Sequence, residues 1–357
     1  MDISEEVKEL EDEVIRLRRD FHKHPELGFQ EFRTAKKVSN YLEDLGLEVK
    51  TNIAKTGVVG LLRGNKPGKT LMLRADMDAL PIQEQNDLNY KSAVPGLMHA
   101  CGHDGHTAML LVAAKVLVEH KDEIMGNIKF VFQPNEESAA ARMMIEEGVL
   151  ENPDVDGAFG IHLWTPIESG KIAISEGAVM GGLYEFELKI KGKGGHTSAP
   201  QFSIDPIVTA SDIIQTVQTI QTREIDPLKS TTIMFGEFKA GTATNIIPEE
   251  AELRGTIRFL YRDDENNDAR PKERFERIVD NVCKTHRADY EIDYIVESPP
   301  VYNSDKMVKM AKDTAVEVLK DRDKIIDYTN LAGEDFGEFS DEVPSTFYFI
   351  GTADKEK

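Results

Sequence analysis

The sequence predicts an α/β fold: a mostly parallel sheet covered by helices, with a smaller α+β domain inserted into it. Two observations carry this expectation. In the first half of the chain, and again near its end, apolar strands alternate with helical patterns, as in a sheet with both faces covered. From about Gly182 the strands alternate strictly between apolar and polar residues, in the order strand–helix–strand–strand–helix–strand. At 357 residues the chain is long enough for two domains and a large core. The expected division is 1–181 with 297–357 for the larger domain and 182–296 for the insert, returning near Ser298-Pro299-Pro300.

Each element has its own signal. Val7, Leu10, Val14, Ile15 and Leu17 recur at helical spacing over residues 4–20. His22-Lys23-His24-Pro25-Glu26-Leu27-Gly28 breaks that helix; its proline and glycine mark a turn, with a structural or substrate-edge role for the histidines. A second helix runs from Arg33 to Leu45 and stops at Gly46. Strands follow at Val58–Arg63 and Thr70–Asp76, the latter apolar until it meets Arg74, Asp76 and Asp78. A buried strand that ends in charge delivers functional groups to the rim of a sheet. Thr107–Glu119 is a helix, Ile128–Gln133 a strand, Ala139–Glu147 a helix and Ala158–Trp164 a strand. The insert supplies strands at Tyr184–Ile190, Thr231–Phe238, Ala251–Arg258 and Tyr290–Val296, with helices over Pro206–Arg223 and Lys272–Thr285. A helix at Ser304–Leu319 and a strand at Thr346–Ile350 rejoin the first sheet. There is no internal repeat and no low-complexity tract.

Composition narrows the function. A formal net charge of −21 argues against nucleic acid and against an anionic membrane surface as partners. No apolar run approaches the roughly 20 residues that span a bilayer. The acidic start of the chain lacks the pattern of a signal peptide. Two cysteines make a disulfide framework improbable, and a cytoplasmic protein is expected.

The chemistry concentrates in Met98-His99-Ala100-Cys101-Gly102-His103-Asp104-Gly105-His106-Thr107. Three of the chain's nine histidines and one of its two cysteines fall there, and imidazole and thiolate are ligands for zinc and similar ions. Glu137, at a strand end, and His162, on a strand, join Cys101 and His103 as candidate metal ligands. Glu136 and Glu137 are adjacent; if extended, they point opposite ways. One can then ligate while the other faces substrate as general base.

These residues sit within runs that resemble the metal-dependent aminoacylases, the N-acyl-amino-acid amidohydrolases that include hippurate hydrolases and auxin-conjugate hydrolases. The matching runs begin with Phe21-His22-Lys23-His24-Pro25-Glu26-Leu27, Leu73-Arg74-Ala75-Asp76-Met77-Asp78-Ala79-Leu80-Pro81 and Met98–His106. Phe132-Gln133-Pro134-Asn135-Glu136-Glu137, Gly160-Ile161-His162-Leu163-Trp164, Lys193-Gly194-Gly195-His196, Asn245-Ile246-Ile247-Pro248 and Gly333-Glu334-Asp335-Phe336 follow in order along essentially the whole chain. The resemblance implies a zinc-peptidase-like catalytic domain and an insert that acts as lid and pairing domain of a homodimer or higher homo-oligomer. It implies one or two divalent metal ions (zinc, or manganese, cobalt or nickel) on Cys101, His103, Glu137 and His162, with Glu136 as general base. It makes His196 an oxyanion stabiliser and Asn245 a contact to a small-molecule N-acyl amino acid substrate.

Two departures stand out. The family carries another ligand histidine after the Gly333–Phe336 run, whereas no histidine follows His286 here, so a poorly held second metal is expected. Ser138-Ala139-Ala140-Ala141 stands where the family is glycine-rich, which stiffens that loop. Competing readings are a dipeptidase or carboxypeptidase of the same superfamily, a metal-binding but inactive homologue, and a cysteine amidase using Cys101 with His103. The substrate carboxylate needs a cationic or amide partner, for which Arg74, Arg254 and Asn245 are candidates.

Overall fold

The computed structural model describes residues 4–263 and 269–354. The chain divides into two compact units: one runs up to Val179 and includes Val301–Thr329 and the chain from Glu334, and the other comprises Met180–Pro300 and Asn330–Gly333.

The first unit opens with helices α1 (Ser4–Glu9), α2 (Glu11–Lys23) and α3 (Phe32–Asp44). Strands β1 (Glu48–Ile53), β2 (Gly57–Arg63) and β3 (Lys66–Asp76) lead to helix α4 (His103–Glu119) and strand β4 (Met125–Gln133). A short turn, Glu136–Ser138, precedes α5 (Ala141–Glu146), then β5 (Gly157–Glu168), β6 (Ile172–Ala173) and β7 (Gly177–Met180). The second unit contains β8 (Gly182–Lys191), β9 (Gly195–His196), α6 (Pro206–Thr216), β10 (Thr231–Ala240), β11 (Ile246–Ile247), β12 (Glu250–Phe259), α7 (Pro271–His286) and β13 (Asp289–Ser298). The chain then adds β14 (Val301–Asn303), α8 (Asp305–Leu319), β15 (Ile325–Ile326), α9 (Phe336–Glu342) and β16 (Ser345–Ala353) to the first unit.

Eight strands of the first unit form one sheet in the order β1-β2-β4-β3-β5-β16-β6-β15. Its centre, β4-β3-β5-β16, is parallel, and antiparallel pairs flank it. One face packs on α2, α3 and α4 through Leu17, Phe21, Val38, Leu42, Leu111, Phe130 and Phe132. Burying each such side chain contributes roughly 1.5–3 kcal/mol. The other face carries Arg74 and is covered by the α9 segment: a Cβ added to Gly160 would lie 2.9 Å from Phe336. A glycine at 160 is therefore what lets that aromatic ring lie on the strand.

The second unit is an antiparallel sheet, β10-β12-β8-β13. Its core is built from Phe186, Leu188, Ile190, Ile213, Ile257, Phe275 and Val279, with α6 and α7 packed against it. Strand–helix–strand–strand–helix–strand is the order read from the alternation. A two-stranded ribbon pairs β9 with β11.

Several elements differ from expectation. The first helix is two, broken at Leu10, with no glycine or proline to mark the break. The helix expected over Ala139–Glu147 starts only at Ala141, because the preceding turn leaves Ala139 in a left-handed conformation, φ 59°. The helix expected to Arg223 ends at Thr216, and a wider turn covers Ile220–Glu224. Strand β1 was not anticipated: its exposed Glu48, Lys50 and Thr51 give a polar edge strand without an apolar signal.

Candidate metal centre

The site grows from the carboxyl ends of β3, β4 and β5. Gly102 has φ 97°, a left-handed conformation that turns the chain from Cys101 into α4. His103 is the first residue of that helix and is fully buried. Its Nδ1 lies 3.0 Å from the Asp78 carbonyl oxygen and 3.1 Å from Asp78 Oδ1. Nε2 is buried and without a hydrogen-bond partner, and in the neutral ring donation from Nδ1 makes it a lone-pair nitrogen. It lies 3.8 Å from Asp76 Oδ2 and 3.9 Å from Glu136 Oε2. His162, on β5, donates from Nδ1 to the Leu163 carbonyl at 2.7 Å, and its Nε2 stands 3.4 Å from Cys101 Sγ. A ring whose one nitrogen donates to backbone or carboxylate presents the other to an ion. Donor atoms of Cys101, His103 and His162 lie within 4.8 Å of one another, as do those of His103, Glu136 and Glu137.

His106 has another role. Its Nδ1 lies 2.6 Å from Asp76 Oδ1, and its Nε2 accepts the Leu163 amide at 2.9 Å. Both nitrogens are occupied, so His106 locks β5 to the end of β3.

The charge balance around these donors is lopsided. Arg74 is fully buried and donates to Gln133 at 2.8 Å, Asp76 at 2.7 Å, Glu334 at 3.0 Å and Asp335 at 2.9 Å. Arg74 is therefore not a partner for a substrate carboxylate: its guanidinium is buried and already committed to Gln133 and three carboxylates. Donor atoms of Glu136, Glu334 and Asp335 also cluster within 4.8 Å. Burial first, then Glu334 and Asp335, push the Glu136 carboxyl well above the usual carboxylate range. Burial likewise raises Glu137, and lifts Asp335 to about 7. One guanidinium cannot balance Asp76, Asp78, Glu136, Glu137, Glu334 and Asp335, and a divalent cation among them would offset part of the excess. The unpartnered His103 nitrogen, the thiol and the surplus carboxylates fit such an ion. Burial pushes the Cys101 thiol up, the opposite of what activates a nucleophilic cysteine.

His22 is buried, with Nδ1 2.7 Å from Asp104 and Nε2 3.1 Å from Glu84. It ties α2 to the start of α4 and to the long loop before Cys101, which is the structural half of the role expected for it. His24 bonds back to the Asp20 carbonyl at 2.8 Å.

His196 and Asn245 lie in the second unit, next to each other on the β9–β11 ribbon. His196 pairs with Ile246, and the Thr197 amide donates to the Asn245 carbonyl at 3.1 Å. His196 is exposed; its Nδ1 meets the Ser198 hydroxyl at 2.7 Å and accepts the Ser198 amide at 3.1 Å. Arg254 pairs with Glu187 at 2.6 Å on the same unit.

Asp76 and Asp78, at the charged end of β3, and Glu334 and Asp335, in the Gly333–Phe336 run, carry no assigned role in the sequence-based site; the last two reach it only through the return of the chain.

The comparisons with known proteins bear on this arrangement. The model of "Peptidase family M20/M25/M40" matches residues 72–357. The chain belongs to this peptidase family. It is 41% identical over 360 residues to thermostable carboxypeptidase 2 of Saccharolobus solfataricus, covering 99% of this chain and 90% of that protein. It is 42% identical over 308 residues to an N-acyl-L-amino acid amidohydrolase of Geobacillus stearothermophilus, covering 85% and 82%. The crystal structure of the Bacillus subtilis YXEP protein, a dinuclear metal binding peptidase from the M20 family, superposes with a TM-score of 0.83 at 34% identity, over 98% of this chain and 91% of that one. Membership makes this M20 chain a hydrolase of amide bonds from a metal-binding family. The resemblance read from the sequence holds.

Proposed function

We propose that the protein is an N-acyl-L-amino-acid amidohydrolase of the aminoacylase or hippurate-hydrolase type. The observation that carries this reading is the cluster in which His103, Cys101 and His162 meet Glu136 and Glu137. Cys101, His103, Glu137 and His162 would hold one or two divalent ions, zinc first, with manganese, cobalt and nickel as alternatives. Such an ion supplies Lewis acidity, making water nucleophilic at neutral pH and polarising the amide carbonyl.

The chain's own residues do the rest. Glu136 takes the proton of the attacking water on a carboxylate oxygen and hands it to the leaving amide nitrogen. Burial and Glu334 favour the proton on Glu136, and a cation held beside it opposes them, which leaves the carboxylate free to accept the proton first and release it later. His103 is kept in one tautomer by Asp78, and Asp78 is itself held by the Glu137 amide at 3.1 Å. His196 Nε2 stabilises the developing oxyanion, and Asn245 contacts the substrate. The second unit, residues 182–296 in the sequence-based division, serves as lid and as the surface of a homodimer or higher homo-oligomer. Two free cysteines and the absence of a helix long and apolar enough to cross a membrane among the described residues are consistent with a cytoplasmic enzyme.

The carboxypeptidase relative supports a second reading, cleavage of peptides at a carboxyl-terminal residue. Rates on N-acetyl- and N-benzoyl-amino acids, against dipeptides and blocked peptides, with zinc, manganese or cobalt added, separate the two. Faster turnover of the peptides would overturn the amidohydrolase assignment.

A further inference from the structure

We infer that Glu31 is a positioning residue for the turn that presents Glu136 and Glu137, acting through the backbone of Asn135. The inference rests on the roles proposed above for those two glutamates.

Glu31 stands at the amino end of α3, where a carboxylate would ordinarily cap its own helix. It makes no side-chain cap bond there. Glu26 caps α3 instead, accepting the Arg33 amide at 2.9 Å and the Thr34 amide at 2.8 Å. Glu31, fully buried, turns across to the sheet. Its Oε1 accepts the Asn135 amide at 2.9 Å, and its Oε2 accepts the Thr56 hydroxyl at 2.6 Å. A carboxylate is expensive to bury, and no cation is bonded to this one among the described residues.

Its target is a strained place. Asn135 has φ 49° and Ala139 φ 59°, so left-handed residues bracket Glu136–Ser138. A second carboxylate, Asp78, accepts the Glu137 amide at 3.1 Å. The two carboxylates therefore grip the amides at 135 and 137, on either side of Glu136. Asn135 is also wedged from the side: a Cβ on Gly28 would sit 1.8 Å from its Oδ1. Displacing a general base by about 1 Å can cost on the order of 10²-fold in rate. Outer-shell partners of a metal ligand are worth about 10–100-fold in affinity or activity.

The test compares full-length Glu31→Ala, Glu31→Gln and Thr56→Val with the unsubstituted protein, beside Leu17→Ala as a core variant that only destabilises. Four readouts are needed: kcat and KM on an N-acyl amino acid, Co²⁺ affinity with the metal alone, amide exchange of the 134–139 segment, and Tm. Glu31→Ala is expected to lower kcat by about 10–100-fold with little change in KM, and to weaken Co²⁺ binding by a similar factor. It should also speed exchange in the segment. Glu31→Gln, whose carboxamide oxygen still accepts the Asn135 amide, is expected to restore most of each, and Thr56→Val to leave them near the starting values. Unchanged Co²⁺ affinity and exchange in Glu31→Ala would overturn the inference. So would equal losses in Glu31→Ala and Glu31→Gln, or losses that Leu17→Ala reproduces at the same Tm. If the unsubstituted protein hydrolyses no N-acyl amino acid, the functional reading falls, and Co²⁺ affinity and exchange still decide the role of Glu31.

Discussion

Glu136 lies among carboxylates that no single guanidinium can balance, and burial with Glu334 and Asp335 strengthens its hold on a proton. Glu136→Gln keeps the shape and removes that proton carrier. Activity is expected to fall by about 10²–10⁴-fold while metal binding persists, which kcat and metal analysis on one preparation would check. Ala139 is a different case at the same scale. Its φ of 59° tolerates alanine at a cost of roughly 1–2 kcal/mol, and a β-branched side chain fits there less well. Ala139→Val is expected to destabilise by about 1–2 kcal/mol in urea unfolding. Ala139→Gly should stabilise slightly, by up to about 1 kcal/mol, because relief of the strain exceeds the cost of a freer unfolded chain, about 0.4–1 kcal/mol.

Among elements, the coupling of α2 to α4 through His22 is the most exposed to pH. Burial works against protonation of His22, but its bonds to Asp104 and Glu84 prevail and raise its proton affinity above the ordinary value of 6.5. Below that value His22 is charged in folded and unfolded chains alike, so its ion pairs contribute in full. As pH climbs through the raised folded-state value the proton leaves and the contribution is lost. The Glu84 carboxyl is lowered instead, and its contribution fades as pH falls through its folded value. The stability difference between the unsubstituted protein and His22→Gln is therefore expected to be about 2–3 kcal/mol below pH 6.5 and above the carboxylate range. It should shrink at alkaline pH. Denaturant midpoints across pH measure it; a difference that grew with pH would contradict the pairing.

For the molecule as a whole, two units with separate cores and a donor cluster confined to the first of them make a thermal prediction. Metal at about 100 times its Kd adds about 2.7 kcal/mol to the state that binds it. Calorimetry with and without a chelator should show the melting of the first unit raised by roughly 5–10 °C, with the α6–α7 unit unmoved. A metal-induced shift of both transitions would mean that the two units unfold as one.

Local pattern determined much of this protein. The run of apolar strands and helices, the strict alternation after Gly182 and the clustering of Cys101 and His103 were legible because each depends on neighbours a few residues apart. The pairing of Glu136 with Glu137 at a strand end was legible for the same reason. Only the tertiary structure decided what each imidazole presents: His103 keeps an unpartnered Nε2 and His162 turns its Nε2 to the Cys101 thiol, while His106 is consumed by Asp76 and the Leu163 amide. It also decided that Arg74 is a buried counter-charge and that Glu334 and Asp335 stand beside Glu136. Those relations join residues up to 261 positions apart. No periodicity records them, because burial and hydrogen-bond saturation are properties of the packed chain.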